Sequence, residues 1–209
     1  YVPEPLTLNK SAEGIFAAGA ELVNCFAIGK GKKAILSQHI GDLKNIETLE
    51  FYKESIGLFK RAFRFEPEKV VADLHPDYLS SRYAAELGFP VIKVQHHHAH
   101  IASCMAENGV NEKVIGVAFD GTGLGTDGNI WGGEFFVCDF ADFERVAHFE
   151  YLPLPGGDQV TKEPWRTAVS FLYKYFGDNI FSLYLQYLNN LDEKMLKILI
   201  TALDKKINT

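Results

Sequence analysis

VIKVQHHHAHI, residues 91–101, joins a short apolar run to four histidines within five positions. The run at 91–94 predicts a buried strand, and the residues that follow have the apolar spacing of a helix. A strand-to-helix junction is where α/β folds place their chemistry. If the helix begins near Gln95, His96 and His100 lie one turn apart on one face. Both imidazoles can then hold one metal ion.

The two intervening histidines have a different expected role. His97 and His98 should point away from the face that carries His96 and His100. The alternative for any single histidine here is that it only caps the helix or packs against it. The zinc protease motif HExxH is excluded, because position 97 is histidine and not the glutamate that serves as general base. The pattern predicts metal binding without peptide hydrolysis.

Composition excludes several classes of protein. The chain has 209 residues and a net charge of −6, which argues against a nucleic-acid partner held by electrostatics. It contains no apolar window of about 18 residues, so no membrane span or membrane partner is expected. No secretory leader is predicted. Cys25, Cys104 and Cys138 form no CxxC motif, which favours buried thiols and a reducing, cytoplasmic location.

The order of predicted elements indicates an α/β fold. Residues 1–13 carry two prolines and no periodicity, and we expect a linker there. Residues 14–110 read as three β-strands followed by alternating helices and strands. A second meander begins within 111–209 but lacks the matching strand, helix and strand afterwards. The layout is that of a ribonuclease H-like or actin-like ATPase (ASKHA) fold with two duplicated halves, the second incomplete.

A glycine-rich segment follows the first strand of the second meander. Gly121, Thr122 and Gly123 let the backbone approach a phosphate, with the threonine hydroxyl as a further donor. Asp120, directly before them, can complete the metal shell or hold magnesium near the phosphate. The alternative is that the segment is only a long hairpin turn, since Gly and Asp are ordinary turn residues.

Two further glycine pairs are candidates for contact with a nucleotide. Gly132 and Gly133 interrupt a predicted strand at 129–140 and indicate a bulge or a place where a ligand presses on the backbone. Gly156, Gly157 and Asp158 form a turn before a helix, whose amide groups can receive phosphate or ribose. A plain turn explains the second group equally well.

Six phrases of the sequence, in order along nearly the whole chain, together resemble one protein family. That family is the HypF carbamoyltransferases, which act in the maturation of NiFe hydrogenases. The phrases are GAEL at 19–22, SQHIGDL at 37–43, DLHPDYLSSRYA at 73–84, QHHHAHIASCMAENG at 95–109, FDGTGLGTDGNIWGGEF at 119–135 and LPLPGGD with KEPWR at 152–166.

The resemblance implies carbamoyl transfer. Family members use carbamoyl phosphate and ATP, through upstream modules, to make a carbamoyl-adenylate. The module similar to this chain passes the carbamoyl group to the C-terminal cysteine of HypE. The family's divalent metal, zinc or iron, would be held by His96, His100 and Asp120. The glycine turns at 121–123, 132–133 and 156–158 match its nucleotide-contacting loops.

The chain departs from the family pattern in two places, and two other functions stay open. Val23 and Cys25 replace a lysine and a threonine expected in the first loop, and an Asp-Gly-Gly segment that supplies another metal ligand is expected beyond Thr209. The alternatives are a relative that transfers threonylcarbamoyl to tRNA adenosine, and a non-catalytic fragment that docks on HypE.

Overall fold

The computed structural model describes residues 4–157, 159–183, 185 and 191–207. These residues form two compact units, one ending at Phe149 and the other beginning at Glu150. The boundary expected between residues 110 and 111 lies inside the first unit, and the two-subdomain division stays a prediction. No helix in the described part of the chain combines the length and apolar character needed to cross a membrane.

The first unit contains a six-stranded mixed sheet with the strand order β1-β4-β3-β2-β5-β6. The predicted meander of β2, β3 and β4 is antiparallel, and β5 and β6 extend it in parallel from β2. The α/β fold class is confirmed. The strands are β1 (Leu6–Thr7), β2 (Ile15–Ala17), β3 (Ala27–Lys30), β4 (Lys33–Leu36), β5 (Lys69–Asp73) and β6 (Val91–Val94).

Strand β1 lies within the stretch 1–13 that we expected to be a linker. Leu6 pairs with Ala34 and Thr7 with Lys33, so this stretch supplies the edge of the first sheet. Two residues are too few to show an alternating pattern, and the sequence therefore gave no signal for this strand.

Three helices connect the strands of this unit: α1 (Ile46–Phe63), α2 (Leu79–Glu86) and α3 (His96–Glu107). Helix α1 begins at a side-chain cap, because Asn45 accepts a hydrogen bond from the backbone N–H of Thr48. Its apolar face buries Tyr52 and Phe59 against Phe26 of the loop before β3, with Phe26 and Phe59 ring centroids 4.9 Å apart. Helix, sheet and aromatic cluster form the main core.

The second sheet has the order β11-β10-β7, and a separate two-stranded ribbon pairs β8 with β9. The prediction of a single strand over 129–140 was wrong, because Gly132 and Gly133 separate two strands, β9 and β10. A side chain at Gly132 would collide with the backbone carbonyl of Gly121. The strands are β7 (Val114–Ala118), β8 (Gly123–Leu124), β9 (Ile130–Trp131), β10 (Glu134–Cys138) and β11 (Phe143–His148).

Helix α3 leaves the first sheet after β6 and packs on the second. Ile101 and Met105 are buried with Phe136 and Trp131 in one cluster. Gly116 of β7 admits this contact, since any side chain there would overlap Ile101. The helix that carries the histidines therefore lies against residues of both predicted halves.

The second unit is helical in its described part. Val169, Ile180 and Leu199 are buried together at its centre. Of the helix predicted over 180–190, residues 180–182 belong to a 3-10 turn, while 184 and 186–190 lie outside the described residues. The elements are α4 (Gln159–Lys162), α5 (Trp165–Phe176), the 3-10 turn (Gly177–Ser182) and α6 (Glu193–Asp204).

Candidate metal centre

The candidate site lies where β5 and β6 end. The two strands are parallel, with Asp73 opposite Val94, so their carboxyl ends meet at one edge of the first sheet. Gln95 follows β6 in an extended conformation, and its side-chain oxygen accepts a hydrogen bond from His98 N–H at 2.9 Å. This cap makes His96 the first residue of α3.

Starting the helix at His96 brings the predicted pair together. The Nε2 atoms of His96 and His100 lie 3.2 Å apart. Asp120, two residues beyond β7, places Oδ2 3.2 Å from His96 Nε2 and 3.6 Å from His100 Nε2. All three ligand atoms lie within 4.8 Å of one another.

The spacing of these three atoms fits a shared cation. Nitrogen and oxygen ligands that each lie about 2.1 Å from one ion are separated from each other by about 3.0–3.5 Å in octahedral or tetrahedral geometry. The His96–His100 and His96–Asp120 separations fall in that range, and the His100–Asp120 separation is only slightly longer. His100 is 55% exposed, so the site opens to solvent on that side, as catalytic metal sites do.

Protonation in the metal-free protein reflects the same contacts. Hydrogen bonds to Asp120 and Asp73 raise the pKa of His96 to about 9. Burial and the neighbouring His96 lower the pKa of His100, which favours the neutral ring that a metal requires. Burial alone would raise the pKa of Asp120, but contacts with His96 and His97 outweigh it and lower that pKa. Asp120 is therefore available as an anion.

Asp73 is a member of the site that sequence reasoning missed. Its Oδ2 lies 2.6 Å from His96 Nδ1, and its Oδ1 accepts a hydrogen bond from His75 N–H at 2.8 Å. A carboxylate on the second ring nitrogen is the usual support of a metal-binding histidine. The sequence could have indicated Asp73 by its position. It ends a predicted strand, and the next predicted strand along the chain precedes the histidines.

The ring of His97 is turned away from the face of His96 and His100, as predicted, but it still contacts the site through Asp120. Its ring is fully buried, and its Nε2 lies 2.7 Å from Asp120 Oδ1. Asp120 follows β7 of the second sheet and lies close to the rings of both His96 and His97. The prediction for His98 was correct, since its Nε2 hydrogen-bonds the carbonyl of Asp139.

Gly123, in the glycine-rich segment after Asp120, lets the chain approach the histidines. A Cβ at Gly123 would lie 2.6 Å from His97 Cε1 and 3.2 Å from His96 Cδ2. The N–H of Gly121 donates to the carbonyl of Gly132 at 3.3 Å. Thr122 between them is exposed. The loop thus presents Thr122, while Gly123 packs against the histidines and exposed Gly121 has a positive φ of +88°.

The amides of Gly132 and Gly133 have a partner within the chain. Both donate to Oε1 of buried Glu134, at 3.0 and 3.3 Å. The other oxygen of Glu134 binds Arg145 at 3.1 Å. Other parts of the chain lie close to this backbone: Gly121 against Gly132, and Phe149 against Gly133. Nucleotide contact at these two glycines stays a prediction.

The third glycine pair lies in the second unit. Gly156 and Gly157 both have positive φ, +98° and +54°, and the N–H of Gly157 donates to the carbonyl of Leu154 at 3.0 Å. The pair forms the predicted turn before α4. Asp158, the third residue of that candidate group, lies outside the described residues.

Comparison with family models covers both halves of the chain. Residues 10–107 match the model described as the HypF Kae1-like domain. Residues 116–209 match the model of the second subdomain of the carbamoyltransferase Kae1-like domain. The first match contains His96 and His100, and the second contains Asp120.

Curated relatives and solved structures agree with these models. The chain is 44% identical over 177 residues to carbamoyltransferase HypF2 of Cupriavidus necator, covering 83% of this chain and 22% of that protein. It is 37% identical over 214 residues to a probable carbamoyltransferase HypF of Methanocaldococcus jannaschii, covering all of this chain and 28% of the relative.

The described fold is similar to two crystal structures, each with a TM-score of 0.87. Full-length HypF in a phosphate- and nucleotide-bound form is 47% identical and matches 99% of this chain and 27% of that one. HypF of T. kodakarensis is 38% identical and matches all of this chain and 29% of that one. The chain therefore spans less than a third of the length of these relatives.

Proposed function

The chain belongs to the HypF family of carbamoyltransferases as its Kae1-like domain, and from that membership we propose that it carries the carbamoyl-transfer site. The donor is a carbamoyl-adenylate, made from carbamoyl phosphate and ATP in other modules of the full-length protein. The acceptor is the thiol of the C-terminal cysteine of HypE. The product serves hydrogenase maturation.

The single observation that supports this proposal is the triangle formed by His96, His100 and Asp120. Two ring nitrogens and one carboxylate oxygen, 3.2–3.6 Å apart, form a ligand set with one side open to solvent. Two histidines and one carboxylate are also the protein ligands of several catalytic zinc sites. When bound, a zinc or iron ion would act as a Lewis acid toward a carbamoyl or phosphate oxygen.

The residues of this chain bind and orient the reactants. In the reaction, a bond forms between the cysteine sulfur and the carbamoyl carbon, the bond from that carbon to the adenylate phosphate oxygen breaks, and AMP leaves with the electron pair. The thiol proton passes to solvent or to the leaving phosphate. We assign the contact with the carbamoyl-adenylate to Thr122. Nucleotide contact at the turn of Gly156 and Gly157, in the other unit, stays a separate prediction. Gly132 admits the backbone of Gly121, the residue before Thr122.

The first test replaces the proposed ligands one at a time. His96→Ala and His100→Ala should each lose bound zinc in elemental analysis and lose carbamoyl transfer to HypE from supplied carbamoyl-adenylate. His98→Ala is the matched control, because its ring lies on the same helix but hydrogen-bonds Asp139 instead. It should keep both.

Metal content that stays unchanged in His96→Ala and His100→Ala would contradict the proposal. Stable binding of HypE by the parent protein without any transfer would instead support the docking alternative.

A further inference from the structure

We propose that His97 is a positioning residue, which holds Asp120 so that only one of its carboxylate oxygens faces the metal. The inference deepens the proposed function and rests on its metal site. It concerns a proposed hydrogen-bond chain from Gln95 through His97 to Asp120.

The amide of Gln95 can adopt only one orientation. Its Oε1 lies 2.9 Å from the backbone N–H of His98, which can only donate. Its Nε2 lies 3.2 Å from the carbonyl of Leu124, which can only accept. Both contacts require the same assignment of oxygen and nitrogen. The NH₂ group therefore faces the next ring in the chain.

That orientation determines the tautomer of His97. The NH₂ of Gln95 lies 3.0 Å from His97 Nδ1, so Nδ1 must accept a hydrogen bond and carry no proton. In the neutral ring the proton is then on Nε2. Asp120 Oδ1 is the carboxylate oxygen that lies nearest to this nitrogen, 2.7 Å away. His97 thus donates to one oxygen of the carboxylate.

Occupying Oδ1 leaves Oδ2 for the metal. Oδ2 is the oxygen that lies 3.2 Å from His96 Nε2 and 3.6 Å from His100 Nε2. If the Asp120 carboxylate could rotate freely, it could offer either or both of its oxygens to a metal ion. A hydrogen bond from His97 to Oδ1 favours metal binding through Oδ2 alone. His97 therefore acts on the metal through Asp120 and does not touch it.

The surroundings keep the ring in this position. His97 is fully buried, and Gln95 is only 5% exposed. Gly123 lies against one edge of the ring, and the Trp131 ring lies with its centroid 6.0 Å from that of His97. Rotation of the imidazole would require movement of β8 or β9. The hydrogen-bond chain is consequently built into the packing.

Two substitutions at one position separate positioning from packing. His97→Phe keeps a ring of similar size but removes the donor to Asp120. His97→Gln is the matched variant, because its side-chain NH₂ can reach the place of Nε2 and restore that donor. Zn²⁺ affinity is measured on the 209-residue protein by competition with a chelator. The visible spectrum of the Co²⁺-loaded protein reports ligand geometry.

His97→Phe should weaken Zn²⁺ binding by about 10–100-fold, the usual effect of removing an outer-shell partner, and should change the Co²⁺ spectrum. His97→Gln should recover most of the affinity and the parental spectrum. If His97→Phe binds Zn²⁺ as tightly as the parent, or if His97→Gln binds no better than His97→Phe, the inference is wrong. A parent protein that binds no Zn²⁺ would overturn the proposed metal site itself, which separates the two failures.

Discussion

At the scale of single residues, the chemistry of the site is decided by two carboxylates on opposite sides of one ring. Asp73 contacts Nδ1 of His96 and Asp120 contacts Nε2. In the metal-free protein this arrangement favours the protonated ring, and a metal must displace the Nε2 proton to bind there. His100, with a lowered pKa, offers its nitrogen without that competition. In the proposed metal site, the two histidines of the pair would therefore have unequal roles.

The protonation of His96 predicts a pH dependence of stability in the metal-free protein. Its pKa rises from 6.5 to about 9 on folding, so its contribution is fully present below pH 6.5 and is lost as pH rises through about 9. The free energy of unfolding, measured by denaturant titration in chelator, should fall across that window by an amount on the order of 3 kcal/mol.

Asp73→Asn is the matched variant for this measurement. It removes one of the two carboxylates and keeps the shape of the side chain, so the decline should become shallower and end at lower pH. A stability that does not change between pH 6.5 and 9 in the parent protein would contradict the prediction.

At the scale of elements, the site depends on how closely β8 approaches the first turn of α3. Gly123 has no side chain at the point where both His96 and His97 pass. The ribbon of β8 and β9 also supplies the Leu124 carbonyl that orients Gln95, and Trp131 beside the His97 ring. The ribbon of β8 and β9 thus contacts both Gln95 and His97 of the proposed hydrogen-bond chain.

Gly123→Ala tests this contact. The added methyl group would lie 2.6 Å from His97, so β8 must move away, and we expect a loss of about 1–3 kcal/mol in unfolding free energy together with weaker Zn²⁺ binding. Gly57→Ala, inside α1 with its nearest neighbour 3.6 Å from the new Cβ, is the control. It should stabilise the protein by about 1 kcal/mol through helix propensity and leave Zn²⁺ affinity unchanged. Equal behaviour of the two variants would show that β8 tolerates the displacement.

At the scale of the whole molecule, every group assigned to the metal lies in one compact unit. Asp73 and the histidines belong to the first sheet and its helix α3, while Asp120 follows a strand of the second sheet. Both sheets lie in the unit that ends at Phe149. The candidate turn at Gly156 and Gly157 lies in the other unit. Metal binding and the proposed nucleotide contact of that turn are thus carried by different parts of the chain.

A protein that ends at Phe149 should therefore fold and bind Zn²⁺ with the affinity of the 209-residue chain. Circular dichroism and the same chelator competition measure the two properties. The truncated protein with His96→Ala serves as the negative control. A truncated protein that folds but loses Zn²⁺ affinity would mean that residues after Phe149 complete the site.

The sequence by itself determined the α/β class, the order of most strands and helices and the facing pair of His96 and His100. It did so because period and spacing are local properties: a cap at Gln95 and a separation of four residues suffice to place two rings on one helix face. Phrases shared with HypF also identified the family, which the comparisons confirmed.

Only the tertiary structure decided which side chains surround that pair. Asp73 and His97 joined the site because two parallel strands end together and because a second sheet brings Asp120 within reach of a ring that the helix turns away from His96. The break at Gly132 and Gly133 likewise follows from contacts with Gly121 and Phe149, not from local propensity. These contacts join residues far apart in the chain, and packing determines their geometry. The local periodicity of the sequence carries no information about such contacts.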